Sequence, residues 1–300
     1  DRLAEVQAAL APHLPEGALD RLSVVAADLL SDDGWTAAAQ GCDVLMHTAS
    51  PFPIAQPANP DDLIRPAVDG TLRAMRAAHA AGITRMIVTS SVAAVHDSRK
   101  DGPQTEDDWL DADTPGTLPY SLSKLRAEQA AWAFAKDHPD VQLTTINPAL
   151  VLGPPLDRHY GSSLGLVARM LKGRDPASPP IGFSIVDVRD IARMHLAAMD
   201  RPATAGRRYI GSAGPLWFAE MARILKAAHP QRRIATREAP GALLRLIALW
   251  DKEVRAILPR LGRIERYDAS RARAEMGITF IPADQALRDA ADWLVQGGAV

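Results

Sequence analysis

Thr84-Arg-Met-Ile-Val-Thr-Ser-Ser91 decides how this chain folds. Its apolar centre, Met86-Ile-Val88, suits a pleated, buried surface and is too short for a helix. A strand over 84–90 is predicted, delivering Ser91 to its carboxyl end. Upstream, Gly82 closes a long helix read over Leu63–Ala81, and Asp43-Val-Leu-Met-His-Thr-Ala49 is a second strand. Between them Pro51–Pro60, rich in proline and asparagine, is a loop. Strand, helix and strand of these lengths make a βαβ unit with parallel strands.

The alternation extends both ways. Asp1–Leu10 has helical composition, and Leu22-Ser-Val-Val-Ala-Ala27 reads as a short buried strand ending at Asp28-Leu29. A polar turn over Ser31–Gly34 leads to a helix over Trp35–Gln40, ended by Gly41. Downstream, Ala93–Pro119 is irregular and acidic, and Ser121–Lys136 is a helix. Val141–Ile146 is a strand broken by Asn147-Pro148. The fold class is therefore α/β, a doubly wound parallel sheet with helices on both faces. Ligands of such sheets bind at the carboxyl ends of the strands, where Thr48–Pro51, Ser91 and Pro148 fall. After Gly153-Pro-Pro155 the composition loosens. Short strands frame Ile185–Val188, a helix follows over Asp190–Met199, and Arg208-Tyr-Ile210 is a last sheet strand. Glu220–Ala228 and Gly241–Leu258 read as helices. Residues 1–152 thus form a first domain, to which 184–212 returns; 153–300 is mainly a smaller interleaved C-terminal lobe.

Composition excludes several classes. Hydrophobic residues make up 47% and charged residues 23%, with a formal net charge of −2 and no basic block, which argues against a nucleic-acid partner. Cys42 is the only cysteine, so no intrachain disulfide can form and a reducing, cytoplasmic setting is expected. The opening residues do not read as a leader, and no apolar run reaches the roughly 18 residues of a membrane span. No histidine spacing suits a metal site, so none is expected.

The chemistry concentrates in Tyr120-Ser-Leu-Ser-Lys124. On a helix the phenol and the ammonium lie one turn apart on one face. A nearby positive charge favours phenolate and lowers a tyrosine pKa from about 10. Such a tyrosine can exchange a proton with an alcohol or carbonyl oxygen, and Ser91 could hold that oxygen.

An ordered set of motifs carries a family resemblance. They are His47-Thr-Ala-Ser-Pro51, Asn59-Pro60, Pro66-Ala-Val-Asp-Gly-Thr71, Thr89-Ser-Ser91 and Glu106-Asp-Asp-Trp109, then Tyr120–Lys124 with Ala127-Glu128. Asn147-Pro148, Gly153-Pro154 and Val186-Asp-Val-Arg-Asp190 complete it. In this order the chain resembles an extended short-chain dehydrogenase/reductase, of the dihydroflavonol reductase-like branch of carbonyl reductases.

The resemblance implies a Rossmann-like fold and NAD(P)H-dependent reduction of an aldehyde or ketone to an alcohol. It makes residues 1–152 the dinucleotide-binding domain and the later lobe the substrate side. Ser91, Tyr120 and Lys124 match the catalytic serine, tyrosine and lysine, with Lys124 also holding the nicotinamide ribose. Asp28 and Leu29 match an adenine-contacting pair; Thr48, Ala49 and Ser50 match the loop beside the ribose and phosphates. Pro148 and Val151 match the edge of the nicotinamide pocket, and Ser163 a polar contact beyond it. NADP(H) is favoured over NAD(H), with a small-molecule carbonyl substrate and a monomer or homodimer. The family's glycine-rich G-x-x-G-x-x-G turn, which seats the pyrophosphate on a helix N-terminus, would precede Asp1, so the first βαβ unit is missing from the fold read here. Gly211-Ser-Ala-Gly214 follows a strand but lacks the third glycine and is read as an ordinary turn. Plant dihydroflavonol reductases carry an asparagine where flavonoid hydroxyls are recognised, and His96 aligns with it.

Other features have plainer readings. His47 caps a strand, Glu106–Asp108 open a solvated helix, and the arginines from Arg255 to Arg273 form a wet helical face. Two alternatives stay open: a nucleotide-sugar epimerase or dehydratase sharing the triad, and a non-catalytic dinucleotide sensor.

Overall fold

The computed structural model describes residues 2–50, 59–97, 99–114 and 116–300. An N-terminal helix α1 (Arg2–Leu10) and a short α2 (Trp35–Ala39) precede β1 (Val44–His47). Helix α3 (Asp61–Ala80), β2 (Arg85–Thr89), α4 (Pro119–Asp137) and β3 (Gln142–Pro148) follow. After one residue the chain enters β4 (Leu150–Leu152), then α5 (Ser162–Leu171), β5 (Ile181–Asp187) and α6 (Val188–Asp200). The remainder is β6 (Arg207–Gly211), β7 (Gly214–Trp217), α7 (Phe218–Ala228), α8 (Gly241–Ile247), α9 (Lys252–Ile257), β8 (Arg263–Ile264), α10 (Ser270–Met276) and α11 (Ala283–Gln296).

The first sheet has the order β1-β2-β3-β6, all parallel, with His47 opposite Val88 and Thr89 opposite Ile146. Strand β2 shows why helices must cover both faces. Successive side chains point to opposite sides. Met86 and Val88 join Met75, Ala78, Ala131 and Phe134 of α3 and α4, while Ile87 joins Ile191, Met194 and Ala198 of α6. Arg85, also buried, donates to Gln142 O (2.6 Å), Thr144 Oγ1 (2.8 Å) and Thr204 Oγ1 (2.7 Å), tying β2 to β3 and to the turn after α6. The doubly wound sheet expected from the alternation is present.

A second sheet joins β4, β5 and β7, with β8 alongside β5. Its core gathers Leu164 and Val167 of α5, Met221 and Leu225 of α7, and Leu287 and Leu294 of α11. The break read at Asn147-Pro148 falls later than expected. The strand runs through Pro148, and Ala149 N still bonds Gly211 O (2.9 Å) before the chain crosses to the second sheet.

Three element readings need correction. Leu22–Ala27 forms no strand: Leu22, Val24 and Val25 are exposed, and no described strand pairs with them. A ladder needs a second backbone about 4.8 Å away, and apolar content cannot supply one. Gly241–Leu258 is two helices, because Asp251 accepts from Val254 N (3.1 Å) and starts α9 afresh. The arginines from Arg255 to Arg273 share no single helical face. Arg260 lies over the Phe183 ring, Arg271 meets Asp107, and Arg273 lies over Phe280. The loop read from Pro51 to Pro60 lies outside the described residues except for its last two. No helix among the described residues is long and apolar enough to cross a membrane, and none of their His, Cys, Asp and Glu side chains group in threes to hold a metal.

Candidate active site

Parallel pairing of β1, β2 and β3 brings their carboxyl ends to one rim. Thr48, Ala49 and Ser50 follow β1, Ser90 and Ser91 follow β2, and Pro148 ends β3. Ser91 has extended backbone and its Oγ accepts from Ala93 N (3.1 Å), capping a short turn that fixes the hydroxyl. Helix α4 starts at Pro119, whose fixed φ suits a first helical position. Tyr120 therefore sits in the first turn, with Lys124 one turn later. The Tyr120 hydroxyl is hydrogen-bonded to Ser91, and Lys124 Nζ lies 6.0 Å from the centre of the Tyr120 ring.

Burial governs the electrostatics. Contrary to the lowering expected from Lys124, burial pushes the Tyr120 hydroxyl above its ordinary value, and the pull in the other direction comes from Ser91. Burial pushes the Lys124 ammonium down to about 8, with Glu128 opposing. His47, a turn of sheet away, is pushed down to about 4 by burial and by the Lys124 charge. The site is thus a neutral imidazole, a loosely held ammonium and a protonated phenol at neutral pH. His47 Nε2 meets Thr71 Oγ1 at 3.3 Å, and Thr71 donates to Ala67 O (2.8 Å). The histidine therefore ties β1 to α3, which extends the capping role expected of it.

Leu29 lies against α3, and Asp28 precedes it. Asp28 Oδ1 accepts from Leu30 N (2.9 Å), and Leu29 O accepts from Arg73 Nη1 (2.6 Å). Gly70 permits this approach, since a Cβ there would stand 2.7 Å from Leu29 Cδ2. Val151 lies on β4, three residues after Pro148 and opposite Val186 in the second sheet. Ser163 stands on the first turn of α5 beside the second sheet, and no hydrogen bond among the described residues ties it to Ser91, Tyr120 or Lys124. His96 Nδ1 receives Gln104 Nε2 (3.1 Å), and its ring packs edge-on against Tyr267.

A buried network beneath the triad escaped the sequence reading. Glu128 is two turns from Tyr120 on the same face of α4 and is 1% exposed. Its carboxylate accepts from Ser90 Oγ (2.6 Å), Thr145 Oγ1 (2.9 Å), Asn147 Nδ2 (2.8 Å) and Arg208 Nε (2.7 Å). Asn147 Nδ2 also reaches Ser91 O (3.2 Å). The helical spacing of Tyr120, Lys124 and Glu128, and the places of Glu128 and Asn147 in the family's motif strings, were the signals available. Glu106–Asp108 is not a solvated helix start: Glu106 is 5% exposed and accepts from Ile210 N (3.1 Å). Glu106 O and Asp108 O accept from Arg208 Nη1 (2.6 and 2.7 Å), while the Trp109 ring lies 3.7 Å under that guanidinium. The acidic string is a strap over β6. Gly211 and Gly214 join β6 to β7, so that turn opens no helix.

Residues 5–210 match the NAD dependent epimerase/dehydratase family, and the chain belongs to it. Within that class several of its relatives are reductases by name. It is 35% identical over 227 residues to cinnamoyl-CoA reductase 1 of Arabidopsis thaliana, covering 74% of this chain and 64% of that protein. It is 32% identical to an anthocyanidin reductase ((2S)-flavan-3-ol-forming) of Vitis vinifera, covering 73% and 69%. The chain spans about two thirds of the length of the curated relatives it matches. Among solved structures, yeast methylglyoxal/isovaleraldehyde reductase Gre2 complexed with NADPH superposes with a TM-score of 0.73 at 27% identity, over 91% of this chain and 84% of that one. The fold is also that of vestitone reductase from alfalfa, with a TM-score of 0.74 at 24% identity over 95% and 86%. The resemblance to the dihydroflavonol reductase-like branch holds.

Proposed function

We propose that this chain carries the catalytic residues of an NADP(H)-dependent reductase that converts an aldehyde or ketone to an alcohol, reversibly. One observation carries the reading: the Tyr120 hydroxyl meets Ser91 at the carboxyl rim of the parallel sheet, with Lys124 one helical turn behind. The cinnamoyl-CoA, anthocyanidin and yeast relatives support it, being reductases by name, and the yeast structure is complexed with NADPH.

The residues present fit the nicotinamide end of such a cofactor. Lys124 offers a buried ammonium for the ribose, and Pro148 and Val151 offer an apolar edge. Thr48, Ala49 and Ser50 suit the sugar–phosphate stretch, Asp28 and Leu29 the adenine, and Ser163 a contact beyond the nicotinamide. For the pyrophosphate, no strand-to-helix turn among the described residues is glycine-rich. When bound, the cofactor supplies the hydride. Tyr120 gives its proton to the carbonyl oxygen, Ser91 orients that oxygen by a hydrogen bond, and Lys124 stabilises the phenolate left behind. Residues 1–152 with 184–212 serve as the cofactor side and the rest of 153–300 as the substrate side. A single cysteine supports a cytoplasmic setting, and the assembly is proposed as a monomer or homodimer.

NADPH oxidation against a panel of aldehydes and ketones, by the chain carrying an added N-terminal strand–glycine loop–helix unit, tests the proposal. Turnover of carbonyls supports it; turnover only of nucleotide sugars would replace it with the epimerase reading.

A further inference from the structure

A buried ion pair is a poor stabilising device, because desolvating two charges costs about as much as their attraction returns. The Glu128–Arg208 pair is fully enclosed, with side chains 0% and 8% exposed. Beyond the four donors already named, Glu128 Oε2 accepts from Arg208 Nη2 (3.2 Å) and Oε1 from Trp132 Nε1 (3.3 Å). Three donors on each oxygen leave the carboxylate no room for a proton. Burial works against its ionisation, yet Arg208 and these hydrogen bonds outweigh it and hold the carboxyl below its ordinary range. A permanent negative charge thus sits one helical turn beyond Lys124, inside the protein.

Lys124 needs such a charge. It is 8% exposed, and burial alone disfavours an ammonium. The titratable and charged groups bearing on it are Tyr120 and Glu128 from α4, His47 from β1, and Arg208 from β6 through Glu128; Glu106 of the strap lies beyond Arg208. Of these, Glu128 is the group whose charge favours the ammonium, and His47 stays neutral beside it.

We propose that Glu128 is a positioning residue for Lys124, its buried carboxylate supplying the negative charge that lets Lys124 remain an ammonium at the carboxyl rim of the sheet. The relevance of this to catalysis rests on the reductase reading; the charge compensation itself does not. The same carboxylate ties Ser90, Asn147 and Thr145 to one point, so the strand ends and the lysine are set together.

Competitive amine labelling across a pH series, read peptide by peptide by mass spectrometry, measures the Lys124 titration without turnover. In the unmodified chain the midpoint should fall at about 8. In Glu128→Gln, which keeps the shape and removes the charge, it should move down by about one unit or more. Glu128→Asp, which keeps the charge, should bring it back toward the starting value. An unmoved midpoint in folded Glu128→Gln overturns the proposal. Should that variant fail to fold, the unmodified chain still decides: a midpoint below about 7 would mean that burial stands uncompensated. In an active reductase the alkaline fall of kcat should shift to lower pH by the same amount in Glu128→Gln. A labelling shift without any carbonyl turnover would leave this inference standing and remove the reductase reading instead.

Discussion

Tyr120→Phe separates chemistry from structure most cleanly. The change removes one hydroxyl and keeps the half-buried ring on α4. What is lost structurally is the hydrogen bond to Ser91, worth about 1 kcal/mol. Ser91 is not orphaned, because its Oγ still accepts from Ala93 N at 3.1 Å. For a chain of this size about 1 kcal/mol lowers Tm by only a few degrees. Losing a positioned proton donor costs about 10²–10⁴ in rate, or about 3–5.5 kcal/mol of barrier. In a chain carrying an added N-terminal glycine-loop unit, steady-state kcat with NADPH and a reactive aldehyde, beside a melting curve, should show a collapse of rate with a small change in Tm. A variant with near-full kcat, or one that loses activity only because it unfolds, would refute the assignment.

Three further outcomes are expected. His47 is pushed from 6.5 to about 4 by burial first, so the unfolded chain takes up its proton more readily between those values. Its stabilising contribution is complete above pH 6.5 and is lost as pH falls toward 4, on the order of 3 kcal/mol in all; Tm between pH 4 and 7 should fall more steeply in the unmodified protein than in His47→Gln, and equal slopes would count against it. These 300 residues should bind NADP(H) poorly beside a version carrying an added strand–glycine loop–helix unit at the N terminus, since no strand-to-helix turn among the described residues is glycine-rich; comparable micromolar affinity by titration calorimetry would sink the idea. With Nδ1 of His96 held by Gln104, the ring has one nitrogen left where an amide would offer both a donor and an acceptor. Simple aryl and alkyl carbonyls should therefore match or exceed dihydroquercetin in kcat/KM, and a clear preference for dihydroquercetin would contradict this.

Local pattern carried the elements whose partners are among the described residues. The β2 strand was legible because Met86-Ile-Val88 alternates between two cores that both exist. Leu22–Ala27 has similar composition, but pairing is non-local, and no described strand lies beside it. The triad was legible because Tyr120 and Lys124 share one helix and Ser91 ends a readable strand. Glu128 was not, since its donors come from β2, β3 and β6, up to 80 positions away, and only folding assembles them. Glu106-Asp-Asp-Trp109 misled for the same reason. Three acidic residues in a row suggest solvent, and only the position of Arg208 shows that their backbone carbonyls are the working groups.

Tyr120, Ser91 and Lys124 are proposed to support hydride transfer to a carbonyl. The most direct measurement uses NADPH deuterated at C4 of the nicotinamide, the chain carrying the added N-terminal glycine-loop unit, and mass spectrometry of the products. Aldehydes or ketones should yield alcohols with deuterium on the carbinol carbon, and Tyr120→Phe should slow their formation by at least about 10². Absence of deuterated alcohol from every carbonyl offered, or its formation at an undiminished rate by Tyr120→Phe, would contradict the account.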